Sequence, residues 1–367
     1  MNIFFIFLSN ISVKKIMNKK TKIIIINIAA IAFILLLLWN PICHIFKNHP
    51  YEYVYFNELA GGMKNAYGNY EMDYYYHSTR EASEWIIANA QKSGLETGSK
   101  IKVATWHLAS VQYFFQNDTA DYQVGFARWY ERGNTDWDYA IFTITGMMPE
   151  DIKNANFPPK NTIYQVKVDN KPICLVLKRE TKDDLLGFQL KNNKEYVSAI
   201  DHLKKAIAIE PTNVSAQLNL IESYFNSGKI DSAKFYIDQL LEYVPKYEPA
   251  NYMLANYYYY SHDTEKAQKV LKTIREQNIK FKVAYNLAFQ IYVQQNDLKN
   301  AEMMMLNLLS TDQLDEQSFK QLISIYKAQG LDERGAYKKA YRKCVDAYQK
   351  LGKKEEMKTY QNALKKL

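Results

Sequence analysis

The sequence predicts three parts in order: one N-terminal transmembrane helix, a small α/β domain, and an all-α superhelix of helix-turn-helix repeats. Three observations carry this. Residues 23–39, IIIINIAAIAFILLLLW, hold Asn27 as their one polar residue. Residues 50–180 alternate short apolar runs with helix-start signals. From residue 180 onward, small, aromatic and turn residues recur every 34 positions.

With Pro41 and Ile42 the apolar run approaches the roughly 20 residues needed to cross about 30 Å of hydrocarbon. Trp39 lies where an interfacial aromatic would anchor it. Residues 1–50 carry Lys14, Lys15, Lys19, Lys20, Lys22 and Lys47 and no acid. Five of these lysines precede the run, so the positive-inside rule places the N-terminus in the cytoplasm and the bulk of the chain outside it, in the periplasm of an inner membrane. A cleaved signal peptide would want small residues at a cleavage site, and NPICHIF (residues 40–46) has none. IFFIFL (residues 3–8) is too short to span, and Met17 is an alternative start.

Beyond the span, YEYVYFN (residues 51–57) alternates like a strand and is stopped by Gly61-Gly62. Ser78-Thr79-Arg80-Glu81 has the spacing of a capping box, opening a helix with Ala82, Trp85, Ile86 and Ala90 on one face and an end near Gly94. Residues 101–106 (IKVATW) read as a strand, 110–115 as a short helix and 138–143 (DYAIFT) as a central strand. Residues 162–168 and 173–177 read as a hairpin around Asp169-Asn170-Lys171. Strands and helices in this order make a small mixed sheet.

In the repeats, Ala199, Ala233, Ala267 and Ala301 stand 34 apart, as do Tyr224, Tyr258, Tyr292 and Tyr326. Pro211 and Pro245 share that step, and Gly228, His262, Asn296 and Gly330 recur at the turn. Small alanines let paired helices approach closely, while the Tyr and Leu rows fill the space between pairs. Five repeats start near 180, 214, 248, 282 and 316, with Gly335 standing where the fifth would carry Ala. The organisation expected is therefore a basic cytoplasmic N-terminus (1–22), a span (23–42), an extracytoplasmic α/β domain (45–179), repeats (180–350) and a polar capping helix (351–367).

Composition limits the function classes. Thirteen Gly and nine Pro in 367 residues, with 30 Tyr, suit a mostly helical protein. The net charge of +8 is concentrated at the ends: six lysines in residues 1–50, and ten Lys or Arg against three acids in residues 338–367. No folded domain gains the basic face that phosphate backbones require, which excludes nucleic acid as a partner. Cys43, Cys174 and Cys344 show neither metal spacing nor a disulfide framework. There is no phosphate-cradling glycine loop, HExxH or GxSxG. Trp106-His107 at a strand end and the nearby Glu71, Asp73 and His77 are the strongest polar group, and structural roles are expected for them. No catalytic residue, cofactor or metal is therefore assigned.

Two resemblances follow from these residues. HPYEYVYFNELAGG (49–62) with GNYEMDYYYHSTREASEWI (68–86) is similar to the extracytoplasmic C-terminal part of bacterial dolichyl-phosphate-mannose protein mannosyltransferase-like membrane glycosyltransferases. The matching positions are His49, Pro50, Tyr51, Tyr53, Tyr55, Phe56, Asn57, Glu71, Asp73 and Tyr74; Tyr75 stands where the pattern has Trp. That family's catalytic membrane core has no counterpart here, so no catalytic role is carried over. The resemblance implies a multi-spanning glycosyltransferase core as a possible partner. The 34-residue pattern, clearest in EYVSAIDHLKKAIAIEP (195–211) and Leu186-Gly187, resembles the tetratricopeptide repeat. That resemblance implies a groove lined by each repeat's first helix, with Phe188, Glu222, Phe225, Tyr252, Asn256, Tyr259 and Gln290 facing a protein partner. Tyr258 is assigned to packing, and Tyr252 and Tyr259 are left to meet a ligand. The function expected is a membrane-anchored interaction scaffold without catalysis of its own. The alternative is an accessory part of a polyprenyl-phosphate-sugar-dependent glycosyltransferase system.

Overall fold

The apolar run forms an unbroken helix, α1 (Lys19–Asn48), which continues through Pro41 and past the expected end at residue 42. Its stretch Ile23–Asn48 is long and apolar enough to cross a membrane, and its most apolar part is not buried against the rest of the protein, although His44 and Asn48 near its end are. The computed structural model describes residues 19–90, 98–311 and 316–367. Residues 1–18, including the short apolar stretch, Met17, Lys14 and Lys15, lie outside the described residues, as does Gly94.

The described chain divides into two units. The first holds α1 and, after the short α2 (Gly62–Ala66), α3 (Ser78–Asn89), β1 (Ile101–Thr105), α4 (Leu108–Phe114), β2 (Tyr122–Phe126), β3 (Tyr139–Thr143), α5 (Pro149–Ile152), β4 (Thr162–Val168) and β5 (Lys171–Lys178). The sheet order is β2-β1-β3-β5-β4. β1 pairs in parallel with β2 and β3, while β5 runs antiparallel to β3 and β4. β3 is central as expected and is buried along its whole length. The β4–β5 turn holds Asp169 and Asn170 at φ 47° and 64°, the pair of positive values that two-residue hairpins prefer. β2 was not foreseen: it is an edge strand exposed over most of its length, so it lacks the apolar run by which β1 and β3 are recognised.

Two expectations fail here. Residues 51–57 are not a strand. Residues 51–54 turn, with Tyr51 N–H bonding Asn48 O and Val54 N–H bonding Tyr51 O, and residues 55–57 follow without regular structure; the Tyr51 and Tyr53 rings are held by carboxylates. Tyr51 Oη donates to Glu81 Oε2 at 2.6 Å and Tyr164 Oη to Glu81 Oε1 at 2.6 Å, while Tyr53 donates to Asp73. Burial, and then the Glu81 carboxylate, push the Tyr51 phenol far above its usual range. The capping box is likewise absent. The helix does begin at Ser78, but Ser78 Oγ donates to Asp73 and Glu81 serves the two tyrosines. The helix start was legible; the side-chain roles were set by tertiary hydrogen bonds.

At the end of β1, His107 is buried, stacked on Tyr76 at 3.8 Å, with Nε2 2.8 Å from Thr143 Oγ1. Burial lowers its pKa from 6.5 to about 4.

The second unit comprises residues 127–136, 154–161 and 179–367. Its helices alternate as first and second members of pairs: α6 (Asp183–Asn192) with α7 (Tyr196–Ile209), α8 (Val214–Asn226) with α9 (Ile230–Tyr243), and α10 (Glu248–Tyr260) with α11 (Thr264–Gln277). α12 (Lys282–Gln294) with α13 (Leu298–Ser310) and α14 (Glu316–Ala328) with α15 (Glu333–Lys350) complete the series, and α16 (Lys354–Lys366) follows. Ala199, Ala233, Ala267 and Ala301 are fully buried at the pair crossings. Gly187 serves the first pair from the other side, where a Cβ would stand 2.5 Å from Leu203 Cγ. The turn row is left-handed throughout, with φ 66° at Lys194, 74° at Gly228, 61° at His262, 57° at Asn296 and 96° at Gly330. Asp263, Asp297 and Asp332 then accept from backbone N–H groups three residues on, the bond that stabilises a helix start. In the Tyr row, Tyr224 and Tyr326 are buried, and Tyr258 and Tyr292 are half-buried against the core.

The loop at 127–136, expected within the α/β domain, packs on the first repeats. Arg132 is fully buried: Nη1 donates to Trp129 O at 2.7 Å, Nη2 pairs with Glu210 at 2.5 Å, and the guanidinium lies 4.1 Å from the Trp129 ring centroid. Gly133 N–H donates to Ser215 Oγ at 2.9 Å, and Asn219 Nδ2 to Asn134 Oδ1 at 2.7 Å. Arg179 joins the same junction, donating to Thr135 O at 2.6 Å and pairing with Asp184 at 2.5 Å.

Two outcomes are expected. Removing one partner of a buried ion pair leaves the other charge uncompensated, so Arg132→Ala should cost about 3–5 kcal/mol; lost hydrogen-exchange protection in α6–α8 measures it. The His107 ring stays neutral in the folded state down to about pH 4, whereas unfolded it takes a proton near 6.5. Its contribution is therefore complete above pH 6.5 and is lost as pH falls from there towards 4. In urea titrations across that window, His107→Gln should flatten the acid loss of stability.

Candidate functional site

Each of the seven expected groove residues lies on a first helix: Phe188 on α6, Glu222 and Phe225 on α8, Tyr252, Asn256 and Tyr259 on α10, and Gln290 on α12. Phe188, Glu222, Asn256 and Gln290 occupy one row at the 34-residue step, and Phe225 and Tyr259 another three residues on. Spacings of three and four put these rows on one face of each helix.

Side chains join neighbouring first helices along this face. From α6, Lys191 Nζ pairs with Glu222 of α8 at 2.5 Å and lies 5.3 Å from the Phe188 ring centroid. From α8, the Phe225 ring meets Tyr260 of α10 with centroids 5.6 Å apart. From α12, Gln294 Nε2 donates to Tyr259 Oη of α10 at 2.6 Å. The result is a series of contacts running from Phe188 to Gln294 across four helices. Lys191, Tyr260 and Gln294 were missed by sequence reasoning, although the repeat contained the signal. Lys191 stands one period before Phe225, and Tyr260 one period before Gln294.

The tyrosines are less free than expected. Tyr252 is half-buried, its ring centroid 6.0 Å from that of Phe281, and burial raises its phenol pKa. Tyr259 is half-buried as well, with its hydroxyl engaged by Gln294. Asn256 donates to Tyr252 O at 2.9 Å, and Gln290 is exposed. The face presents aromatic edges and amides, and its Lys191–Glu222 pair neutralises itself.

The polar group of the α/β unit does not assemble into a reactive constellation. Asp73 is buried and accepts from Tyr53 and Ser78, whereas His107 holds Thr143; Glu71 and His77 are exposed. A cavity of about 330 Å³ opens nearby, lined by Asn69, Tyr70, Glu71, Thr145 and Met147. Among the described residues no group of three or more His, Cys, Asp or Glu is placed to hold a metal ion.

Residues 192–257 match the family model described as Tetratricopeptide repeat. No curated protein matches the chain. Among solved structures, a tetratricopeptide repeat protein from Parabacteroides merdae is 19% identical over 49% of this chain and 76% of that chain, with a TM-score of 0.36. A thermophilic tetratricopeptide repeat protein of Thermus thermophilus is 19% identical over 49% of this chain and 95% of its own, TM-score 0.36. YrrB, a tetratricopeptide repeat protein with an unusual peptide-binding site, is 16% identical over 44% and 82%, TM-score 0.32. The helix pairs from α6 onward, with the family match inside them, form a tetratricopeptide repeat array.

Proposed function

We propose that this protein is a membrane-anchored, extracytoplasmic scaffold that holds a protein segment along the first-helix face of its repeats. The observation that carries the reading is the continuous strip from Phe188 to Gln294, in which three pairs of adjacent first helices are joined by side chains. Partly exposed aromatic rings beside amide groups suit an extended peptide, since rings supply area and amides can pair with its backbone. The exposed apolar stretch of α1 supports attachment to a bilayer, and the lysines before it support a cytoplasmic N-terminus with the remainder in the periplasm. Holding a partner in this way makes and breaks no bond.

The test is affinity purification of the C-terminally tagged chain from mildly solubilised membranes, alone and as Tyr259→Ala/Gln290→Arg. We expect a co-purifying protein whose recovery falls about tenfold or more in the variant, as loss of an interface hot spot produces. Stoichiometric recovery of a many-span membrane protein, unaffected by these substitutions, would contradict the groove. It would favour an accessory role in a polyprenyl-phosphate-sugar-dependent glycosyltransferase system instead.

A further inference from the structure

The last turns of α1 are fastened to the sheet. Asp169, at the tip of the β4–β5 turn, accepts from Lys47 Nζ at 2.9 Å and from Asn48 Nδ2 at 3.1 Å, and its own N–H donates to Asn48 Oδ1 at 3.1 Å. His44 Nδ1 lies 3.4 Å from the same carboxylate, and His44 and Asn48 are both buried. Tyr55 closes the other side, its ring centroid 5.1 Å from that of His44. The outer unit is therefore bonded to its own apolar helix by several short polar contacts; it does not hang from a flexible linker.

Helix arithmetic sets the depth of this junction. At about 1.5 Å per residue, some 20 residues cross a 30 Å hydrocarbon layer. Counted from Ile23, that layer ends near Ile42, two residues before His44. With α1 as the span, the junction falls at headgroup depth, close to the bilayer surface.

The surroundings carry an interfacial composition. Phe46, beside the junction on α1, is 83% exposed. Leu59 is completely exposed and follows Tyr55 by four residues, within about 14 Å of extended chain. Phe56 pairs with the exposed Tyr70 at a centroid distance of 5.9 Å. Lys167 is exposed on β4 two residues before Asp169, and Lys171 lies two residues after it, 5.2 Å from the Tyr67 ring centroid. Apolar tips and aromatic rings at the acyl boundary, with lysines reaching phosphates, are what bilayer interfaces select.

We propose that the α/β unit is itself a lipid-contacting domain, seated on the bilayer by the Asp169 junction, with Phe46 and Leu59 immersed at the headgroup–acyl boundary. This rests on α1 being a membrane span. The occupant is the lipid surface, because the exposed residues continue directly from the apolar helix through a fixed junction.

The test places a nitroxide on Leu59→Cys in full-length protein carrying Cys43→Ala, since Cys174 and Cys344 are buried. The protein is reconstituted in phosphatidylcholine–phosphatidylglycerol vesicles, and collision rates with oxygen and with a water-soluble nickel reagent are measured. A second protein carries the nitroxide on Leu35→Cys. Residue 59 should show an oxygen-to-nickel ratio several-fold above that of free nitroxide in water. Asn48→Ala/Asp169→Ala, which undoes the junction, should shift it towards the aqueous value. An aqueous ratio at 59 together with a hydrocarbon ratio at 35 would overturn the seating and leave the span intact. An unchanged ratio at 59 in the junction variant would overturn the role of Asp169. Aqueous ratios at both positions would overturn the span as well.

Discussion

Close approach of paired helices is the constraint on which the repeat array depends. Ala199, Ala233, Ala267 and Ala301 occupy the crossings with no exposed surface. A larger side chain at any of them would force the pair apart, at a cost of about 1–3 kcal/mol in a packed core. Once crossings recur every 34 residues, much else follows. The first helices must begin in step, as they do at Val214, Glu248, Lys282 and Glu316. The chain must reverse at a fixed point between helices, which is why that row is left-handed even where His262 or Asn296 occupies it. Successive first helices also lie side by side, so equivalent positions build one surface.

This explains why the array was legible in the sequence. Its determinants are local and repeated, so one residue type at one spacing reports them. The α/β unit was partly legible for a related reason: β1, β3 and β5 are short apolar runs that the sheet buries over most of their length. What could not be read was set by partners distant in the chain. Tyr51 and Tyr164 lie 30 and 83 residues from Glu81, and their bonds turned a capping-box glutamate into a phenol acceptor. The junction of Arg132 with Glu210 spans 78 residues, and nothing in the local pattern around Trp129 marks that loop as belonging with the repeats.

The candidate site shows the same division. Periodicity put Phe188, Glu222, Asn256 and Gln290 in one row, and the structure carries all of them on first helices. Periodicity did not report how far each ring is covered. Tyr252 leans on Phe281 and Tyr259 is held by Gln294, so the tyrosines contribute shape and a pre-set hydroxyl. A surface already ordered loses less conformational entropy when a partner is laid on it.

The most direct test of the scaffold reading is site-specific photocrosslinking in living cells. A photoreactive amino acid is placed at Asn256, within the first-helix strip, and separately at Phe235, an exposed residue of the second helix α9. A discrete protein adduct is expected from position 256 and none of that size from position 235. The same adduct from 235 with none from 256 would contradict it, since the partner would then lie on the opposite members of the helix pairs.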